Sequence, residues 1–293
     1  SYTKEGESDV SKRPITFTFN GGPGSSSLWL HIGCIGPRRI LMDNNGDATA
    51  PPYTLIDNEF SWLDLTDIVF IDPVGTGFSR PVKGEKEQQF YGYKNDVSSV
   101  GEFIRQYLNK QKRWPSPKYI AGESYGTTRA AGLTKYLIDE HGIFLNGVIL
   151  ISSALDFETL REFKGNDLAN ICYLPSYTAT SFYHKKLEPS LLTDFEKTMK
   201  EVEHFTTYIY PIALFKGNTL SVQEKETIAS SISKYTGIDK SYVLKNNLRI
   251  SSSRYRKALF GDSSYSVGRF DSRLLMPEFD QAEIESENDA SFT

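Results

Sequence analysis

The chain has 293 residues, 39% hydrophobic and 24% charged, with 33 Lys and Arg against 37 Asp and Glu for a formal net charge of −4. That length buries a core without disulfide or metal staples, fits one large or two ordinary domains, and its apolar content excludes disorder over most of the chain. The balance of charge argues against nucleic-acid binding through phosphate neutralisation, and no apolar run approaches the about 18 residues that a membrane span needs.

Ile15 to Phe19 is a short apolar-rich run that reads as a strand. It ends in Asn20-Gly21-Gly22-Pro23-Gly24-Ser25-Ser26-Ser27, followed by a predicted helix holding Leu28, Trp29, Leu30 and Ile32. A glycine-rich loop there offers bare backbone N–H groups, the donors an acyl-transfer oxyanion needs. Taken alone it reads equally as a plain turn. Residues 67–72 form a continuous apolar run, as in a strand buried on both faces. The next segment is Asp72-Pro73-Val74-Gly75-Thr76-Gly77-Phe78-Ser79. Its glycines imitate a dinucleotide fingerprint, but Arg80 stands where the third glycine belongs and Pro81 diverts the chain from a helix. It reads as a loop shaping a pocket.

A helix is predicted over residues 94–112, with Val97, Val100, Phe103, Ile104, Tyr107 and Leu108 on one face and Trp114-Pro115 as its stop. Residues 118–121 read as a third strand, 127–139 as a helix and 147–151 as a fourth strand. Strand, helix, strand at this spacing means βαβ units and a parallel sheet, the α/β class. Between the third strand and its helix lies Gly122-Glu123-Ser124-Tyr125-Gly126, a G-x-S-x-G match. The strand–turn–helix context raises the match above chance, because a serine on that sharp turn is pushed out above the sheet.

After Asp156 the pattern becomes helical, with helices predicted over 157–168, 177–183, 191–210, 222–235 and 252–259 and a turn at 236–239. Residues 1–155 and 156–293 thus read as two domains, the second ending in an acidic tail over 278–289 that reads as exposed or disordered. Cys34 and Cys172 lack metal-ligand spacing and read as two buried free thiols. No N-x-S/T sequon occurs, and the chain opens on Ser1 without a signal peptide, as a processed or truncated piece would.

The three motifs, in this order and spacing, resemble the serine carboxypeptidase family of α/β-hydrolases, strongly over residues 14–155 and weakly beyond, where Val267-Gly268-Arg269-Phe270-Asp271-Ser272 looks like the cap of bacterial members. Ser25 stands where many eukaryotic members carry a disulfide cysteine, which points to a bacterial-type sequence. The resemblance implies an α/β-hydrolase core with a mainly helical cap, and secretion or periplasmic location. It implies peptide substrates with a free C-terminus, no cofactor, no metal, no nucleic acid and no membrane. By it, Ser124 is the nucleophile and the Gly22 and Tyr125 N–H groups form the oxyanion hole. Asn20, Glu123 and the Gly21 amide hold the substrate's terminal carboxylate. A Glu beside a carboxylate attracts it only when one of the two keeps a proton, so such an enzyme works best in acid. An esterase or acyltransferase on the same scaffold is the alternative, though it has no terminal carboxylate to hold. A binding remnant without catalysis is the third reading.

A serine nucleophile needs a base and a group to orient it, in the order Ser, acid, His on this scaffold. His141 reads as a charge at a helix C-terminus, His184 and His204 as solvated faces, and His31, upstream, as a local packing or capping group. Asp156 sits where some hydrolases place the acid, but with Glu158 following it reads as a helix N-cap. In the family the acid and His follow the cap, on the last strands of the sheet. The resemblance therefore implies a second chain or a C-terminal segment that supplies Asp and His, the 293 residues alone being inactive.

Overall fold

A computed structural model describes residues 1–6, 9–44, 46, 49–261 and 265–277. The predicted acidic tail lies outside them. The chain divides into two compact units, Ser1–Leu155 and Asp156–Thr293.

The first unit is built on four parallel strands. In chain order, β1 (Ile15–Phe19) is followed by a short helix α1 (Leu28–Leu30), a hairpin β2 (Arg38–Ile40) and β3 (Leu55–Asp57), then β4 (Asp67–Phe70). Helix α2 (Tyr93–Lys110), β5 (Lys118–Glu123), α3 (Tyr125–His141) and β6 (Gly147–Ile151) complete it. The sheet order is β4-β1-β5-β6, with Thr18 opposite both Phe70 and Ala121. Strand alternation sends Ile15, Phe17 and Phe19 into a core shared with Val97, Val100, Ile104 and Leu108 of α2 and Ala130, Leu133 and Leu137 of α3. On the other face, Thr16 satisfies its hydroxyl on Thr66 at 2.8 Å. Gly101 lets α2 close on α3, because a β-carbon there would lie 2.5 Å from the Tyr136 ring.

The entry edge of the sheet is tied by a buried ion cluster. Asp67, 2% exposed, accepts from Arg13 Nε at 2.7 Å and from Arg113 Nη1 at 2.5 Å, residues that precede β1 and β5. The loops after β1, β4 and β5 all emerge at the opposite, carboxyl ends of the strands, where open α/β sheets commonly bind ligands.

The second unit is helical: α4 (Leu168–Tyr183), α5 (Phe195–Tyr208), α6 (Tyr210–Lys216), α7 (Val222–Thr236), α8 (Lys240–Lys245) and α9 (Ser252–Ala258), with a small antiparallel pair β7 (Tyr265–Val267) and β8 (Leu275–Pro277). The helix predicted over 157–168 does not form. Asp156 caps a single turn, Phe157–Thr159, then Asn166 takes the Glu158 and Arg161 carbonyls with its own amide, each at 2.7 Å, and Gly165 turns at φ +97°. A side chain that captures those carbonyls leaves no ladder to continue. The helix predicted over 191–210 is two: Asp194 caps a fresh start at Phe195 through the Lys197 N–H at 3.0 Å, and Pro211, lacking an N–H, separates α5 from α6. The helix predicted from residue 177 begins at Leu168 and runs through Pro175. The two cysteines are free, but both are exposed rather than buried, Cys172 on the outer side of α4. The hairpin β2–β3 and the pair β7–β8, each with three-residue strands, were not predicted.

Candidate active site

Ser124 sits between the last residue of β5 and the first of α3, at φ 56° and ψ −125°. A non-glycine residue there is strained by about 1–3 kcal/mol and persists only when its surroundings over-determine it. They do. The Ser124 N–H donates to the Ile151 carbonyl at 3.0 Å. The Ser124 carbonyl accepts from the Thr127 N–H at 2.9 Å and from the Thr127 hydroxyl at 2.7 Å. Thr127 Oγ1 in turn accepts from the Ala154 N–H at 2.8 Å.

The turn exists because its glycines let backbones touch. A β-carbon on Gly122 would lie 2.2 Å from the Gly126 carbonyl oxygen, and one on Gly126 would lie 2.8 Å from that of Phe19. The loop after β1 rests on the same turn: a β-carbon on Gly21 would fall 2.4 Å from the Tyr125 nitrogen and 2.8 Å from the Glu123 oxygen. Gly22 follows at φ +104° and is exposed. Tyr125 opens α3, so its N–H has no acceptor inside the helix. The loop after β4 closes from the third side, where Asp72 Oδ1 accepts from the Ser27 N–H at 2.7 Å and Gly77 packs on the same carboxylate.

Asn20 is wholly buried and engaged at three points. Its Oδ1 accepts from the Leu30 N–H at 3.1 Å, its Nδ2 donates to Glu123 Oε2 at 3.0 Å, and its backbone oxygen accepts from Arg129 Nη1 at 2.9 Å. The structure thus gathers Asn20, Gly21, Glu123, Ser124 and Tyr125 at one place, with Gly22 adjacent in the loop. Burial pushes the Tyr125 phenol up to about 12, with the neighbouring Asp96 carboxylate adding to it.

The two histidines of the first unit differ in their surroundings. His31 Nε2 shares a 2.7 Å hydrogen bond with the Tyr2 hydroxyl and its ring lies on Phe70 at 4.5 Å; burial lowers its pKa. His141 ends α3 with Nε2 3.7 Å from Glu102. In the second unit, His204 is exposed on α5. His184 is not on a solvated face: it is half-buried against Phe260, with Nε2 bonded to the Ser272 carbonyl at 2.7 Å. Asp156 spends its carboxylate on the Glu158 N–H at 3.0 Å.

Sequence reading gave Asp72 no role of its own within its motif and passed over Asp96 and Arg129. The available signal for Arg129 was a charge placed four residues after Tyr125, among the small and apolar positions of α3.

A serine delivered by an inner strand into a strained strand-to-helix turn, beneath a glycine-rich loop, defines an α/β-hydrolase. The chain belongs to the serine carboxypeptidase family, whose profile matches residues 2–268. A serine carboxypeptidase-like protein of Arabidopsis thaliana is 28% identical over 231 residues, which cover 73% of this chain and 44% of the relative. A pheromone-processing carboxypeptidase of Neosartorya fischeri is 25% identical over 222 residues, covering 73% of this chain and 31% of its own length. Among solved structures, a prohormone-processing carboxypeptidase of Saccharomyces cerevisiae aligns at a TM-score of 0.43 and 21% identity, covering 80% of this chain and 47% of that one. The chain spans less than half the length of these curated relatives. Among the described residues, no helix is long and apolar enough to cross a membrane.

Proposed function

We propose that these 293 residues carry the nucleophile and the carboxylate-recognition half of a serine carboxypeptidase, with residues 1–155 as hydrolase core and 156–293 as helical cap. Ser124 Oγ attacks the carbonyl of the last peptide bond, and the Gly22 and Tyr125 N–H groups donate to the developing oxyanion. A base takes the Ser124 hydroxyl proton during the attack and, as its conjugate acid, passes it to the nitrogen of the departing C-terminal amino acid. Water then takes the acyl group from Ser124. The Asn20–Glu123 pair, with the Gly21 N–H, holds the substrate's free carboxylate.

The observation that carries this reading is the 3.0 Å bond from Asn20 to Glu123 beside the Ser124 turn. A carboxyl group held there against an amide suits a partner that is itself a carboxylate, when one proton is shared between them. An esterase has no use for it. The base and its orienting acid come from outside these residues. Two observations support that: His31 spends Nε2 on the Tyr2 hydroxyl, and Val148, Ile149 and Leu150 of the edge strand β6 are 38–39% exposed. The natural substrates are peptides with a free C-terminus, met in a secreted or periplasmic setting.

The test uses the full-length protein with a fluorophosphonate probe and a blocked dipeptide. Labelling should map to Ser124, and Ser124→Ala should remove it together with turnover, a loss on the order of 10⁶. Labelling at another serine, or none, sinks the reading. Glu123→Gln should move the pH dependence toward neutral, because an amide donates at any pH; an unmoved profile removes Glu123 from carboxylate recognition.

A further inference from the structure

Arg129 does more than fill space. Its side chain is 2% exposed, yet it meets three separate segments. Nε donates to both oxygens of Asp96 in the first turn of α2, at 3.0 and 2.9 Å. Nη1 donates to the Asn20 carbonyl at 2.9 Å. The guanidinium carbon lies 5.1 Å from the Phe19 ring centroid and 5.3 Å from that of Tyr125. Phe19 ends β1 and Asn20 opens the loop after it, while Tyr125 belongs to the serine turn. A planar cation can stack between two rings while its edges donate in fixed directions; an ammonium cannot do both.

The choice of acceptor gives this contact its consequence. The Asn20 carbonyl and the Gly21 N–H are opposite ends of one planar trans peptide. Fixing the oxygen toward Arg129 aims the N–H the other way. The same residue, Asn20, holds Glu123 through its side chain. One guanidinium therefore sets both the plane that carries the Gly21 donor and the backbone from which the Asn20 amide reaches Glu123. Asp96 holds the guanidinium in turn, and a buried charge pair of this kind has one geometry in which both members are satisfied.

We propose that Arg129 is a positioning residue for recognition of the substrate's terminal carboxylate, with Asp96 as its anchor. This rests on the carboxypeptidase reading above. Its effect falls chiefly on selection of a free C-terminus, since the peptide it fixes carries the Gly21 donor itself, whereas the Gly22 N–H lies one peptide further on and the Tyr125 N–H is fixed by the start of α3.

Arg129→Met alone orphans a buried carboxylate and threatens the fold, so the informative variant is the double Asp96→Leu, Arg129→Met, which removes both charges together. The measurement, on the full-length protein, is the ratio of kcat/KM for a blocked dipeptide to that for its C-terminal amide, beside the fluorophosphonate labelling rate. Deuterium exchange over residues 19–27 is followed in parallel. The double variant should label Ser124 within a few-fold of wild type. Its acid-over-amide preference should fall roughly 10- to 100-fold, the range of one hydrogen bond to a charged group, chiefly through KM, and residues 19–27 should exchange faster. Arg129→Lys should not restore the preference. An unchanged ratio with unchanged exchange overturns the proposal and leaves Arg129 as packing. If wild type cleaves neither peptide, the carboxypeptidase reading fails instead. Exchange over 19–27 then decides the clamp alone: slow exchange retained in the double variant overturns it.

Discussion

The two units solve the same problem, a stable core under polar surfaces, by different means. In the first, segments far apart in sequence are held by backbone contact and buried charge: Gly21 against Tyr125, Gly122 against Gly126, and Asp67 between Arg13 and Arg113. In the second, most helices are closed by their own neighbours. Asp194, Ser221, Asp239 and Ser251 each cap the helix that follows them. Its interior is rich in tyrosine, with Tyr177 stacked on Tyr255 at 4.1 Å. Long-range clamps fix a site to a fraction of an ångström but tolerate no substitution. Local caps and an aromatic core tolerate many and position little. The proposed nucleophile, Ser124, lies where the clamps are.

The comparison breaks most visibly at glycine. Gly122→Ala puts a β-carbon into backbone that cannot move away, and a loss on the order of 4 kcal/mol or more is expected, with loss of fluorophosphonate labelling. Gly165→Ala in the second unit meets nothing within 4 Å and should cost about 1–2 kcal/mol from its φ of +97° alone. Trp29, Trp62 and Trp114 all lie in the first unit. Tryptophan emission during urea unfolding therefore reports that unit, while far-UV circular dichroism weighs the helical one. Equal shifts of both glycine variants in the emission curve would erase the distinction.

Charge gives the next contrast. Asp67→Asn leaves two buried guanidinium groups short of their counter-ion and should cost about 3–5 kcal/mol. Asp167→Asn breaks a bidentate pair with Arg249 that is about a third exposed on each side, and solvent screening holds the cost to about 1 kcal/mol. Of comparable size, Tyr255→Phe removes a hydroxyl that donates to the Tyr177 carbonyl and meets the Ser181 hydroxyl, both at 2.7 Å; about 1–2 kcal/mol is expected in the dichroism curve.

The division also explains what could be read in advance. The four parallel strands, α2 and α3 were legible because apolar periodicity and turn chemistry agree there. The serine turn was legible because glycine marks each close approach. Arg129 and Asp72 were not, because a buried ion pair or a carboxylate on a loop N–H depends on which segments meet, and sequence spacing is silent on that. The false helix over 157–168 had the right periodicity and a real cap at Asp156. It failed through Asn166, whose competition for carbonyls shows only once the loop is closed. The exposed thiols failed for a plainer reason: frequent burial of free cysteine says nothing of which helix face Cys172 occupies.

The smallest expected effect lies wholly in the helical unit and tests whether its caps act locally. Ser221 opens α7, with its hydroxyl accepting from the Glu224 N–H at 3.2 Å while Glu224 Oε2 accepts from the Ser221 N–H at 2.8 Å. Lys216 bonds the same carboxylate, and this contact, then the Ser221 N–H, hold Glu224 down at about 2 against an ordinary 4.5. A carboxyl lowered on folding stabilises above its unfolded value, and the gain drains away as pH falls from about 4.5 toward 2. Ser221→Ala should cost about 1 kcal/mol at neutral pH. Glu224→Gln should flatten the acid limb of the dichroism-monitored stability curve, and salt should flatten it in wild type, since the Lys216–Glu224 pair is open to solvent on both sides. Tryptophan emission should register neither change. An emission midpoint that moves with Ser221→Ala would mean the two units unfold as one, and the contrast between clamped and capped would then be one of construction only.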